Sequence, residues 1–225
     1  TVEGDSLRLR NLIARFRPED PNRILFLAHW DTRPLADASL NIGQQMLPVP
    51  GANDGASGVA ILLGIADALR ANPPTVGVDL LFVDGEDYGD FSEEAGAGAD
   101  VLIGSRHFAA NLPPDYEPLF GVLFDLVGDS DLQIYQEGYS INGAPEVVAR
   151  VWRAAADAGY RRIFVSSVRH TILDDHVPLL EAGLRVVNVI DFDYPFWHTT
   201  EDTVDKVSWE SLQIVGDVAM LLIRQ

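Results

Sequence analysis

The chain predicts an α/β fold: one domain with a mixed, mostly parallel central sheet and helices on both faces. Two observations carry that reading. Short apolar runs of strand length alternate with segments of helical period, and the alternation continues from end to end without a Pro/Ser-rich linker. Of the 225 residues, 47% are apolar and 22% charged, with a mean hydropathy of +0.06. That composition supplies a substantial core and excludes disorder as the main state. We read residues 1–225 as a single domain.

In chain order, Arg23–His29 (RILFLAH) is a buried strand. Residues 58–70 carry Val59, Leu62, Leu63, Ala66 and Leu69 at helical spacing. The strand pattern returns at 76–84 (VGVDLLFVD) and 119–126 (LFGVLFDL), with shorter, weaker candidates at 132–135 and 162–165. Pro145 opens a helix with Val147, Val148, Val151 and Trp152 inward, and Gly159 ends it. Residues 184–190 (LRVVNVI) form the last strand, and Ser208 caps a final helix with Leu212, Val215, Ala219 and Leu222 on one face. The stretches 34–50 and 88–100 are irregular and long enough to be functional loops.

Sixteen basic against 34 acidic residues give a net charge of −18. Such a surface repels a nucleic-acid backbone and an anionic membrane. No apolar run approaches the roughly 18 residues of a membrane-spanning helix, so no membrane insertion is expected. The absence of cysteine excludes disulfides, thiolate metal sites and a cysteine nucleophile. No G-x-G-x-x-G or P-loop occurs. The chain begins at Thr1 without a signal-like segment and reads as processed or trimmed.

In an open α/β sheet, ligands bind beyond the carboxyl ends of the strands. His29 and Asp31 follow the first predicted strand; Asp84, Glu86 and Asp87 follow the second; Asp125 falls at the end of the third; His198 follows the last. Asp54 sits directly before the first helix. Gathered carboxylates raise one another's pKa unless a cation neutralises them, and Lys206 and few arginines lie near these segments. A divalent metal is the economical solution, and mixed imidazole and carboxylate ligands favour zinc, with manganese or cobalt as alternatives.

Each piece also has a plainer reading. His29 alone is an ordinary strand-end histidine, Asp54 a helix cap, and 84–100 a solvated acidic loop without EF-hand spacing. Trp197 beside His198 can be simple aromatic packing. Asp125 is harder to dismiss, because an acid in LFGVLFDLV is costly unless paired or metal-bound. Ser57 lies among glycines, but GASGV is not G-x-S-x-G, since Val59 stands where the second glycine belongs.

The ordered motifs AHWD (28–31), GANDGASG (51–58), VDGED (83–87), FDLVG (124–128), DDHVP (174–178) and WHTTEDT (197–203) resemble the M28 family of zinc aminopeptidases. Within it, the DDHVPLLEAG stretch and the long insertion before IGSRHFA (103–109) are most similar to the glutaminyl-peptide cyclotransferases. The resemblance implies Asp54, Asp87 and His198 as the ligands of one zinc, and Glu86 as general acid/base. It implies Asp125 and Asp174 as a hydrogen-bonded acidic network with Glu86, and Trp197 as a wall of the substrate pocket. In the aminopeptidase alternative, His29 and Asp125 hold a second zinc that Asp54 bridges, with Asp31 orienting His29. Peptide or small-protein N-termini are the implied substrates, and export the implied destination. A catalytically silent binding module is the further alternative.

Three features depart from the family pattern. Asp87 stands where the family usually has Glu, Tyr88 and Phe91 are the loop aromatics where a tryptophan is common, and Leu173 replaces a polar residue. The family's N-terminal helical segment is also missing, in keeping with a trimmed start.

Overall fold

The computed structural model describes residues 1, 4, 6–91 and 100–224; most of the 88–100 loop named above lies outside them. Five strands form the central sheet: β1 (Leu12–Phe16), β2 (Arg23–His29), β3 (Gly77–Val83), β4 (Phe120–Asp125) and β7 (Val186–Ile190). Their spatial order is β1-β3-β2-β4-β7; only β1 runs antiparallel. Every residue of β2, β4 and β7 is buried, which explains their unbroken apolar runs.

Helix α1 (Ala56–Ala71), α4 (Pro145–Asp157) and α6 (Trp209–Arg224) cover one face. There Phe26 and Phe124 stack with ring centroids 5.7 Å apart. The other face packs Leu25, Leu27, Leu81 and Leu123 under α2 (Ile103–Ala110) and α5 (His176–Glu181). Helix α1 comes so close to β4 that a Cβ on Gly58 would stand 2.2 Å from the Phe124 carbonyl oxygen. As expected, Pro145 opens α4, and the Ser211 N–H donates to Ser208 Oγ at the start of α6.

The two weak strand candidates are real, but they pair with each other, as β5 (Ile134–Gln136) and β6 (Phe164–Val168), outside the central sheet. Among the described strands and α-helices, four had no sequence signal: β1, α2, α5 and α3 (Gly138–Gly143). The helices among them span eight residues or fewer, too short to display a period, and β1 is an exposed edge strand.

Candidate metal centre and active site

The strand ends meet as the topology requires. His29 and Asp125 are the last residues of the neighbouring strands β2 and β4; Glu86 and Asp87 follow β3, and His198 follows β7. Asp54 joins them from the loop before α1. It is not the helix cap, a place taken by Gly55 in the left-handed region (φ 88°). A Cβ on Gly55 would stand 2.5 Å from the Asp31 carbonyl oxygen, so this turn requires glycine.

Two buried triads result, Asp54–Asp87–His198 and His29–Asp54–Asp125, and within each the candidate ligand atoms lie within 4.8 Å of one another. His198 Nε2 is 3.0 Å from Asp87 Oδ1 and 3.7 Å from Asp54 Oδ2; His29 Nε2 is 3.3 Å from Asp54 Oδ1 and 3.2 Å from Asp125 Oδ1. Asp54 Oδ2 and both carboxylate oxygens of Asp87 are buried without a hydrogen-bond partner. Atoms of that kind are costly unless something outside the protein satisfies them. The imidazole and carboxylate donors, tightly gathered, fit a divalent ion such as zinc.

Burial, and next the charge of Asp87, push Asp54 up to about 7 and Glu86 well above the carboxylate range. Asp174 rises to about 6 through burial and Asp125. The expected coupling of Glu86, Asp125 and Asp174 is therefore electrostatic; among the described residues no direct hydrogen bond joins the three. Asp174 instead accepts from the Asn188 side chain and the Asp175 N–H. All three acids line one cavity of about 220 Å³, together with the stacked pair Trp197 and His198 (centroids 3.7 Å apart).

Asp31 Oδ1 stands 3.7 Å from His29 Nδ1, at ion-pair distance, and the carboxylate also accepts from the N–H groups of Glu86 (3.2 Å) and Asp87 (3.1 Å). It thus braces the loop that carries the acids as well as facing the imidazole. Asp84 belongs to neither triad; its Oδ2 accepts from the Arg10 N–H. Ser57 is buried and structural, donating to the Asn53 carbonyl oxygen and accepting from the Val127 N–H.

Sequence reasoning missed Asp202, whose carboxylate accepts from the Asn53 and Asp54 N–H groups and the Tyr194 hydroxyl. It also missed Asp37, 3.3 Å from His198 Nδ1, and Arg33, which bonds Asp37. Asp202 stands inside WHTTEDT, where a second acid after the histidine was a usable signal. Asp37 and Arg33 had none, because loop closure alone brings them to the site.

The model of Peptidase family M28 matches residues 11–223. Aminopeptidase YwaD of Bacillus subtilis is 28% identical over 93% of this chain and 43% of its own length. The Bos taurus glutaminyl-peptide cyclotransferase is 25% identical over 94% of this chain and 65% of its own. The chain thus spans less than two thirds of either curated relative. Among solved structures, a leucine aminopeptidase precursor from Bacteroides thetaiotaomicron superposes with a TM-score of 0.92 at 36% identity, covering 98% of this chain and 78% of that one. The glutaminyl cyclase of the same organism, bound to N-acetylhistamine, gives 0.91 at 36%, covering 98% and 79%. Cyclases and aminopeptidases lie equally near, so likeness alone does not choose between them. The match from Asn11 to Ile223 does decide the larger question: this chain belongs to peptidase family M28.

Proposed function

We propose that the protein is a zinc-dependent glutaminyl-peptide cyclotransferase, converting an N-terminal glutamine to pyroglutamate with release of ammonia. The observation that carries this reading is the cavity. At about 220 Å³ it lies below the roughly 300–1,000 Å³ of drug-sized ligand sites and suits a single terminal residue. Ile172, Leu173, Ile190, Phe192 and Trp197 wall it with apolar surface, while Glu86, Asp125 and Asp174 face it together. The aliphatic stem of a glutamine side chain packs against such walls, and the acids face the terminal amine.

Asp54, Asp87 and His198 would hold the zinc, which when bound polarises the γ-carbonyl under attack. The α-amine nitrogen forms the new bond to that carbonyl carbon, and the bond from the same carbon to the amide nitrogen breaks. Glu86 takes the proton that the amine gives up and returns it to the departing nitrogen, so ammonia leaves neutral. Burial and neighbouring negative charge raise the Glu86 carboxyl, the direction that favours its holding the proton between taking it up and returning it. Trp197, stacked on His198, holds the substrate's aliphatic stem against the site.

A second reading, a two-zinc aminopeptidase, is favoured by the complete His29–Asp54–Asp125 triad. There Glu86 activates water, and the peptide bond is cleaved. The two part in one assay on a single preparation, offering Gln-initiated peptides and Leu-anilides while zinc content is measured. The cyclase reading expects ammonia from the former, little cleavage of the latter and about one zinc per protein molecule. Cleavage of the anilide without ammonia release would overturn it. Glu86→Gln should keep its zinc and lose about 10²–10⁴-fold in turnover; retained turnover would remove Glu86 from its role.

A further inference from the structure

Arg33 is a buried cation within the acidic cluster, yet it leaves the hydrogen-bonding capacity of the Asp87 carboxylate unused. Its Nη1 stands 3.7 Å from Asp87 Oδ1, at ion-pair distance but beyond a hydrogen bond, and its donors bond other groups. Nη1 donates to the backbone carbonyls of Asp87 (2.9 Å) and Gly89, on the loop that carries Glu86 and Asp87. Nη2 and Nε donate to the carboxylate of Asp37, whose Oδ1 stands 3.3 Å from His198 Nδ1. The guanidinium carbon lies 5.8 Å from the Phe91 ring centroid, which closes the remaining side.

His198 needs such support. Its backbone sits in the left-handed region (φ 54°), which a residue with a Cβ seldom adopts, and the Ala38 N–H donates to its carbonyl oxygen at 3.2 Å. The segment 37–38 therefore grips His198 at both ring and backbone. Asp87 is likewise held at its backbone on both sides. Asp31 holds its N–H and Arg33 its carbonyl oxygen, and Oδ1 reaches 3.0 Å from His198 Nε2.

We infer that Arg33 is the positioning residue of the metal centre, fixing Asp87 through the 87–89 carbonyls and His198 through Asp37. The inference rests on the metal reading proposed above. It requires the planar fork of arginine rather than its charge, because four oxygens in two directions must be met at once.

Zinc dissociation constants from chelator competition, for the parent protein, R33K and D37N, test it alongside thermal unfolding of each protein in EDTA. R33K keeps the charge and D37N the shape. Both should bind zinc about 10–100-fold more weakly, the usual cost of losing a group that orients a ligand. Metal-free unfolding temperatures should stay within about 2–4 °C of the parent. Unchanged affinity in D37N, or a loss in R33K matched by an equal loss of metal-free stability, overturns the inference. Zinc bound equally by all three sinks only the role of Arg33, whereas a parent protein that binds no zinc sinks the metal reading and this inference with it.

Discussion

Buried aspartates at the two ends of the same sheet have opposite fates. Asp79, near the start of β3, is fully buried and fully answered: Arg23 donates to it through Nε (2.9 Å) and Nη2 (2.7 Å), and the Tyr116 hydroxyl donates at 2.9 Å. Asp54 and Asp87, at the carboxyl ends of the strands, are almost as buried, yet three of their four carboxylate oxygens accept no hydrogen bond, and two of those three meet only His198 or Arg33 nitrogens at ion-pair distance. Burial alone therefore does not separate a structural acid from a functional one. An unanswered buried polar group costs about 1–3 kcal/mol, and a fold retains it where a ligand supplies what the protein does not.

The largest expected contrast is between deletions at the two ends. Asp79→Ala strands the Arg23 guanidinium and should cost about 3–5 kcal/mol in urea unfolding. Asp54→Asn relieves repulsion from Asp87 and Asp125, so in EDTA it should leave stability unchanged or raise it, while zinc binding falls. Equal destabilisation by both would break the comparison.

Glu137 sharpens it, being a satisfied acid beneath the site's wall. It accepts from the Tyr139, Ser140 and Ile172 N–H groups, the Ser140 hydroxyl and His176 Nε2. Burial opposes its charge, but His176 and the N–H donors prevail and hold it down at about 2, against an ordinary 4.5. The unfolded protein thus takes up this proton first. The stabilisation, about 3 kcal/mol by linkage, is present above pH 4.5 and lost as pH falls towards 2. Acid unfolding of Glu137→Gln should lack that part of the pH dependence; a profile identical to the parent's would show that the carboxylate is not held as described.

The smallest effect belongs to Tyr194→Phe. Asp202 would keep its two backbone donors and lose one hydroxyl, a change of about 1 kcal/mol. A much larger loss would mean that Asp202 is less well answered than Asp79 and belongs with the site acids.

Strands β2, β3, β4 and β7 were legible because both faces are buried, and α1, α4 and α6 because each spans three turns or more with one apolar stripe. Strand β1 was not, since LIARF is four-fifths exposed and gains its place only by pairing with β3. At the site, Asp54, Glu86, Asp87, Asp125, Asp174, Trp197 and His198 could be singled out because each sits at or next to a recognisable element end or motif, and the structure brings all seven to one cavity. Arg33, Asp37 and Asn188 were not, because a guanidinium 54 residues from the carbonyl it holds leaves no local trace.

By itself the order of residues determined the alternation of strands and helices, and with it the rim on which imidazoles and acids must gather. Local hydrophobic period and topology suffice for that. Only the tertiary structure decided which acids are answered by the protein and which are left open, that Asp31 braces a loop as well as facing a histidine, and that one arginine ties the two sides of the centre together. Those outcomes depend on distances of a few ångströms between residues far apart in sequence, a quantity that spacing along the sequence does not encode.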